Sequence, residues 1–290
     1  MGRKRNEYKF FLDSSWASGW DGMAGKSRGC VKKFWTIMGD MCFKSLLPLV
    51  VSIEVSSMNL NEWWLFAYGA AFVFILYFIG FTLTRDKYLA SLLATAEGGT
   101  LGFMFYNSIR VEPLSRFFLI DMLGNGGALF SFIYWRISGI FKFWEFTVKN
   151  RLMLALWTGL ALNILASTGI EILHLRGLPY IADISWSIGL VITLLISVIV
   201  GTEVKLRLSR KIFFSKFFWT FWGIRLAGMS VSMALRLPFA LTILFILPPS
   251  FLLPVIYTDQ QNKEKEHAAN FIAACLPITF LIFVAMKTIY

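Results

Sequence analysis

WWLFAYGAAFVFILYFIGFTLT, residues 63–84, runs for 22 positions without a charged side chain. A helix advances about 1.5 Å per residue, so roughly 20 apolar residues in a row are needed to cross the hydrocarbon layer of a bilayer. This stretch is too long and too evenly apolar for the core of a soluble domain. The whole chain agrees: 57% of its 290 residues are hydrophobic, 17% are aromatic and only 16% are charged, with a mean hydropathy of +0.64. A soluble domain carries about 25% charged residues to cover its surface. A membrane protein is therefore expected.

Working outward from residues 63–84, the same criterion yields nine apolar segments, at about 34–55, 63–84, 88–109, 114–138, 152–173, 181–201, 213–234, 237–257 and 268–288. The first includes Asp40, Lys44 and Pro48, and the seventh includes Lys216 and Arg225. The net charge of +11 could suggest nucleic acid, but in a membrane chain basic residues mark cytoplasmic loops. With the N-terminus inside, 21 of the 28 Lys and Arg fall on the cytoplasmic side and five on the other, while Lys44 and Arg225 lie within segments. The expected topology has the N-terminus in the cytoplasm and the C-terminus outside, in a plasma membrane or bacterial inner membrane. Arg3-Lys4-Arg5 is followed by no apolar run with a small-residue cleavage site, so no removable signal peptide is expected. Residues 8–24 mix Tyr8, Phe10, Phe11, Trp16 and Trp20 with polar neighbours, which suits either an interfacial helix or a disordered basic tail.

A repeat is also legible. Val50-Val51-Ser52-Ile53-Glu54-Val55 resembles Ile199-Val200-Gly201-Thr202-Glu203-Val204 at an offset of 149. The same offset carries 63–84 onto 212–233, Glu97-Gly98-Gly99 onto Ile246-Leu247-Pro248, and 119–139 onto 268–288. Five crossings separate the copies, so paired segments run in opposite directions, the pattern of an inverted repeat in secondary transporters. The fifth segment maps back to residues 3–24, where no spanning helix is read. The expected fold is thus all-α and polytopic, with about nine transmembrane helices as four plus five. Residues 1–33 form a basic, aromatic N-terminal segment, 34–138 the first repeat and 152–290 the second.

The chemistry is expected where polar or helix-breaking residues enter the spans. Glu97, Gly98 and Gly99 interrupt the third segment, and Pro248-Pro249 interrupts its counterpart, with Pro254 beyond. Proline removes backbone donors, and glycine loosens a helix. Irregular backbone at membrane depth is tolerated only where it lines a cavity or is buried in protein. The two breaks mark either a binding site or a glycine-lined contact plus a kink. Asp121 and Asn125, four apart, share a helix face, and Gly124, Gly126 and Gly127 would let a neighbour approach closely. Asp121 is a candidate coupling carboxylate or an ion-pair partner of Arg225. Arg225 is a candidate anion ligand or a counter-charge to Glu97 or Asp121. Asn270 aligns with Asp121 under the offset, and Asn163 and Pro277 are further polar or kinking features. Lys44 is expected to snorkel, and Glu54 and Glu203 to face interfacial water. Cys30, Cys42 and Cys275 lack metal-ligand spacing and read as small core residues. His174 and His267 are read in loops on opposite sides. No hydrolytic, Walker or dinucleotide motif is present, so an enzyme, a metal centre and an organic cofactor are not expected.

Four stretches resemble the auxin efflux carrier family of membrane transporters, related in fold to bile-acid and sodium symporters. They are Leu46-Leu47-Pro48-Leu49-Val50-Val51; Glu97-Gly98-Gly99-Thr100-Leu101-Gly102 with Leu119-Ile120-Asp121-Met122-Leu123-Gly124-Asn125; Leu247-Pro248-Pro249 through Asp259; and His267-Ala268-Ala269-Asn270 through Pro277. Together they span about residues 34–290. The resemblance implies two inverted five-helix repeats whose fourth and ninth helices are broken and cross at the binding site, with anionic substrates such as auxins or dicarboxylates. It also implies that the helix missing here is the family's first, part of a scaffold that dimerisation would restore.

The expected function is secondary transport of a small organic anion by alternating access. Glu97, Gly98, Gly99, Asn125, Pro248, Pro249, Arg225 and Asn270 would bind the carboxylate. Glu97 or Asp121 would carry H+ or Na+ as the coupling ion. The expected partners are the anion, membrane lipid and a second copy in a homodimer, and nucleic acid is not among them. The alternative is a non-transporting membrane subunit or sensor descended from a carrier.

Overall fold

A computed structural model of the chain describes residues 45–56, 59–109, 111–139, 151–167, 187–188, 191–192, 210–251, 253–256 and 262–289. The regular elements among the described residues are all helical. In chain order they include α1 (Leu47–Ser56), α2 (Phe66–Thr84), α3 (Lys87–Ala94), α4 (Phe103–Ile109), α5 (Leu114–Ser138), α6 (Arg151–Ser167), α7 (Arg210–Phe213), α8 (Lys216–Ala234), α9 (Phe239–Ile246), α10 (Leu253–Ile256) and α11 (Asn262–Ile289). Three helical stretches among the described residues are long and apolar enough to cross a membrane: Asn61–Thr84, Leu114–Ser138 and Lys263–Thr288, with mean hydropathies of 2.0, 1.4 and 2.2.

The α2 helix shows why this composition suits lipid. It is entered through a tight 3-10 turn, Leu60–Leu65, where the Asn59 side chain accepts from the Asn61 N–H at 3.1 Å. It ends at Arg85, whose left-handed backbone (φ 56°) turns its N–H back to the Phe81 carbonyl. Gly69, Phe72, Val73, Leu76, Tyr77 and Gly80 recur every three or four residues and are buried. The opposite face is just as apolar and lies open, with Ile75, Phe78 and Leu83 each about 60% exposed. An outer face of that kind is matched by hydrocarbon and is costly in water.

The inner face of α2 packs on α3 and on the first half of α5. There a Cβ on Gly69 would lie 1.8 Å from the Ile120 carbonyl oxygen, and one on Gly124 would lie 2.3 Å from that of Phe66. Two facing glycines thus let the backbones touch. The α5 helix widens into π-helical turns at Leu119–Gly126 and Leu129–Ile133 and stops at Gly139 (φ 73°). Helices α1 and α6 pair tightly: Ser52 donates to the Ala155 carbonyl at 3.1 Å, and Asn163 donates to that of Val55 at 2.9 Å. Both also touch α5. Helix α8 packs along α9, which is central and touches α2, α4, α5 and α11.

Several sequence expectations need amendment. The last segment begins at Asn262, ahead of 268, because Lys263, Glu264, Lys265, Glu266 and His267 are compatible with helix and extend it. His267 therefore sits on a helix and not in a loop. Residues 1–44, including Lys44 and the 8–24 segment, most of the sixth segment, and His174 and Glu203 lie outside the described residues.

Candidate functional site

Two helices are interrupted, and their interruptions meet. Asp86 starts α3 by accepting from the N–H groups of Tyr88 (2.7 Å) and Leu89 (3.4 Å). The helix stops at Thr95, which is extended (φ −103°, ψ 150°), and the chain stays non-helical through Glu97 before coiling again in a π-helical turn, Gly98–Gly102. Helix α9 stops at Leu247, also extended (φ −74°, ψ 149°), as expected for a residue whose α conformation clashes with a following proline. Pro248 and Pro249 lack amide hydrogens, and helix resumes at Leu253.

Buried backbone groups need partners, and here the two breaks satisfy one another. The Glu97 N–H donates to the Pro248 carbonyl at 2.9 Å, and the Gly102 N–H returns to the Glu97 carbonyl at 3.0 Å. The Ser250 N–H donates to Thr95 Oγ1 at 3.4 Å. Phe251 N–H donates to Glu97 Oε2 at 2.7 Å, and Ser250 Oγ lies 3.4 Å from the same oxygen. Asn125 donates through Nδ2 to the Ala96 carbonyl (3.0 Å) and to Asp121 Oδ1 (2.9 Å).

Arg225 completes the arrangement from behind. It is fully buried on α8, and its guanidinium donates through Nη1 to the Leu244 carbonyl at 2.7 Å and through Nη2 to that of Thr95. Those carbonyls lie at the C-terminal ends of α9 and α3, where partial negative charge collects and the intrahelical donors run out. The rings of Phe72 and Phe221 lie 4.8 and 5.0 Å from the guanidinium carbon, an arrangement that favours a cation. No carboxylate pairs with Arg225 among the described residues. The expected ion pair with Glu97 or Asp121 is therefore replaced by a clamp on two helix ends.

The glycines behave differently from each other. A Cβ on Gly98 would stand 1.6 Å from Asp121 Oδ1, whereas one on Gly99 would meet nothing within 4 Å. Asp121 is 4% exposed, and its one hydrogen bond among the described residues comes from Asn125. Asn125 Oδ1 is buried without a partner among the described residues.

Of the sequence candidates, Glu97, Gly98, Asp121, Asn125 and Pro248 come together directly, and Arg225 joins through the Thr95 carbonyl. Gly99 and Pro249 adjoin them in the two breaks. Asn270 is half-buried on α11 beside Phe271, whose ring packs on Phe217, Phe218 and Phe221. No hydrogen bond ties it to the crossing among the described residues. The roles of Thr95, Ser250 and the Phe251 amide were not legible as such. The available signals were a β-branched hydroxyl ahead of Glu97-Gly98-Gly99 and a serine directly after Pro248-Pro249. No protein-family model, curated protein or solved structure matches the chain.

Proposed function

We propose that the chain is a secondary transporter that carries a small carboxylate across a membrane by alternating access, with the crossing of the two interrupted helices as its binding place. One observation carries this: two buried helices give up their regular hydrogen bonding at positions that face each other, ringed by Glu97, Asp121, Asn125 and the Arg225 cation. A bundle that only had to stay folded would gain more from unbroken helices. Interrupted helices at membrane depth occur where they are buried in protein or line a cavity, and paired ones mark the ion and substrate paths of transporters.

The roles follow from chemistry. Pro248 and Pro249 hold one break open, while Gly99 leaves room beside the other and Gly98 lets Asp121 come up against it. Arg225 puts positive charge behind both. Asp121, buried with one hydrogen bond among the described residues, is poorly suited to remain a bare anion. It is the natural carrier of H+ or Na+, with Asn125 Oδ1 as a neighbouring oxygen. Around this centre we place nine spans as an inverted repeat of four (34–138) and five (152–290), with the N-terminus cytoplasmic. The offset of 149 supports the repeat: it carries Phe66–Thr84 to 215–233, one residue from α8. We place the chain in a plasma membrane or bacterial inner membrane, with lipid around it and a second copy restoring the scaffold. The motif resemblance to the auxin efflux carriers points the same way.

Reconstituted vesicles loaded against benzoate, succinate and acetate test the proposal. The expected result is saturable uptake of at least one of them, abolished by Asp121→Asn. Absence of carboxylate-dependent flux in the unaltered protein across that panel would contradict it.

A further inference from the structure

The crossing holds a pair of donors aimed at one point. The Phe251 N–H and the Ser250 hydroxyl, the latter on a residue only 3% exposed, both address Glu97 Oε2. These are the groups that a carboxylate from solution would seek in this break, and a carboxylate of the chain already has them. We infer that Glu97 is a tethered occupant of the carboxylate seat, and that a cargo carboxylate binds by displacing it. The inference rests on the transport reading above and deepens it by assigning how the seat is kept and vacated.

Three features make the exchange feasible. First, the Glu97 backbone is held independently of its side chain, by its own N–H to Pro248 and by Gly102 to its carbonyl. The carboxylate can therefore leave by rotation about side-chain bonds without dismantling the break. Second, the half-buried Gly99 has open space where a Cβ would stand, which leaves room beside the seat for the displaced side chain or for the body of the cargo. Third, adding a cargo anion while Glu97 stayed in place would set two carboxylates on the same pair of donors. Exchange avoids that repulsion, since like charges brought together at a buried site oppose binding. Glu97 also keeps the donors of the Ser250–Phe251 turn satisfied while cargo is absent, which an empty carrier needs in order to return across the membrane.

A fixed structural cap and a direct cargo ligand would respond to substitution in other ways, so the sign of one effect decides. Full-length protein in detergent is unfolded thermally and followed by tryptophan fluorescence, with sodium benzoate or acetate titrated against sodium chloride at equal ionic strength. Glu97→Ala is expected to unfold at a lower temperature in chloride and to recover as carboxylate is added. Its half-saturating benzoate concentration is expected to be about one tenth of that of the unaltered protein, because a seat vacant in roughly one molecule in ten has its apparent affinity reduced by that fraction. Glu97→Gln, whose neutral amide competes less well, is expected to shift the same way by about threefold and keeps the test open if the alanine variant does not fold. Equal half-saturation in variant and unaltered protein, or variants that no carboxylate stabilises, would overturn the inference. Benzoate flux in vesicles separates this outcome from that of the parent proposal. Flux without a gain in affinity removes the tethered occupant and leaves transport standing. A gain in affinity without flux keeps the seat and removes transport.

Discussion

Between Ala94 and Gly98 the chain leaves the helix with every amide donor still present, whereas between Ile246 and Leu253 two donors, those of Pro248 and Pro249, are missing from the covalent structure. The first break supplies side chains, Thr95 and Glu97. The second supplies backbone N–H groups, those of Ser250 and Phe251. The Glu97 N–H of the first break donates in turn to the Pro248 carbonyl of the second, so the two hold each other in both directions. The proline break has a covalent cause, since Pro248 and Pro249 bring no amide donors and Leu247 before them is biased away from the helical conformation. The glycine break persists through its partners: Arg225 on the Thr95 carbonyl, Asn125 on that of Ala96, and Pro248 on the Glu97 amide.

If that contrast is right, removing a partner harms more than removing a proline. The largest effect is expected for Arg225→Met, which uncaps the Leu244 and Thr95 carbonyls together. Leaving two buried carbonyls without a donor costs about 2–6 kcal/mol in all. Arg225→Lys keeps the charge but loses the fork and is expected to recover part of that, as read by thermal unfolding in detergent. Gly98→Ala comes next, at about 1–3 kcal/mol, because its methyl collides with the Asp121 carboxylate. Adding Asp121→Ala should relieve much of the collision, giving a double variant less damaged than the sum of the singles. Independent effects would show that the collision is with something else.

Thr95→Val removes the acceptor of the Ser250 N–H and is expected to cost about 1 kcal/mol. Pro248→Ala should cost only about 0.5–1 kcal/mol, mostly through a more flexible unfolded chain. A larger loss would mean that proline alone keeps the second break open. Smallest of all, Gly99→Ala should leave stability unchanged or raise it by about 0.5 kcal/mol, one residue from a position that accepts no side chain. The same substitution narrows the proposed cargo space and should lower benzoate uptake, so stability and transport are expected to part company there.

The contrast also explains what could be read in advance. Pro248-Pro249 and Glu97-Gly98-Gly99 announce their breaks because the cause lies in covalent structure or in a carboxylate set among apolar residues. Residues 63–84 announce a span because length and hydropathy are local properties. The role of Arg225 depends on carbonyls 19 and 130 residues away, and no periodicity encodes such a clamp. A lone arginine in an apolar helix suggests a carboxylate partner, and here helix ends take that place. Thr95 and Ser250 are silent in the sequence for another reason: hydroxyls are common in such helices and gain meaning only once the two breaks touch. The π-helical widening of α5, which sets Asp121 and Asn125 against Gly98 and Ala96, has no sequence signature beyond its glycines.

The most direct measurement is an experimental structure of the protein in membrane mimetic with saturating benzoate. The expected result is ligand density beside Gly99, its carboxylate within hydrogen-bond distance of the Phe251 N–H and the Ser250 hydroxyl, with the Glu97 side chain turned away. Density confined to another part of the molecule, or continuous helix through 95–97 and 247–251, would contradict it.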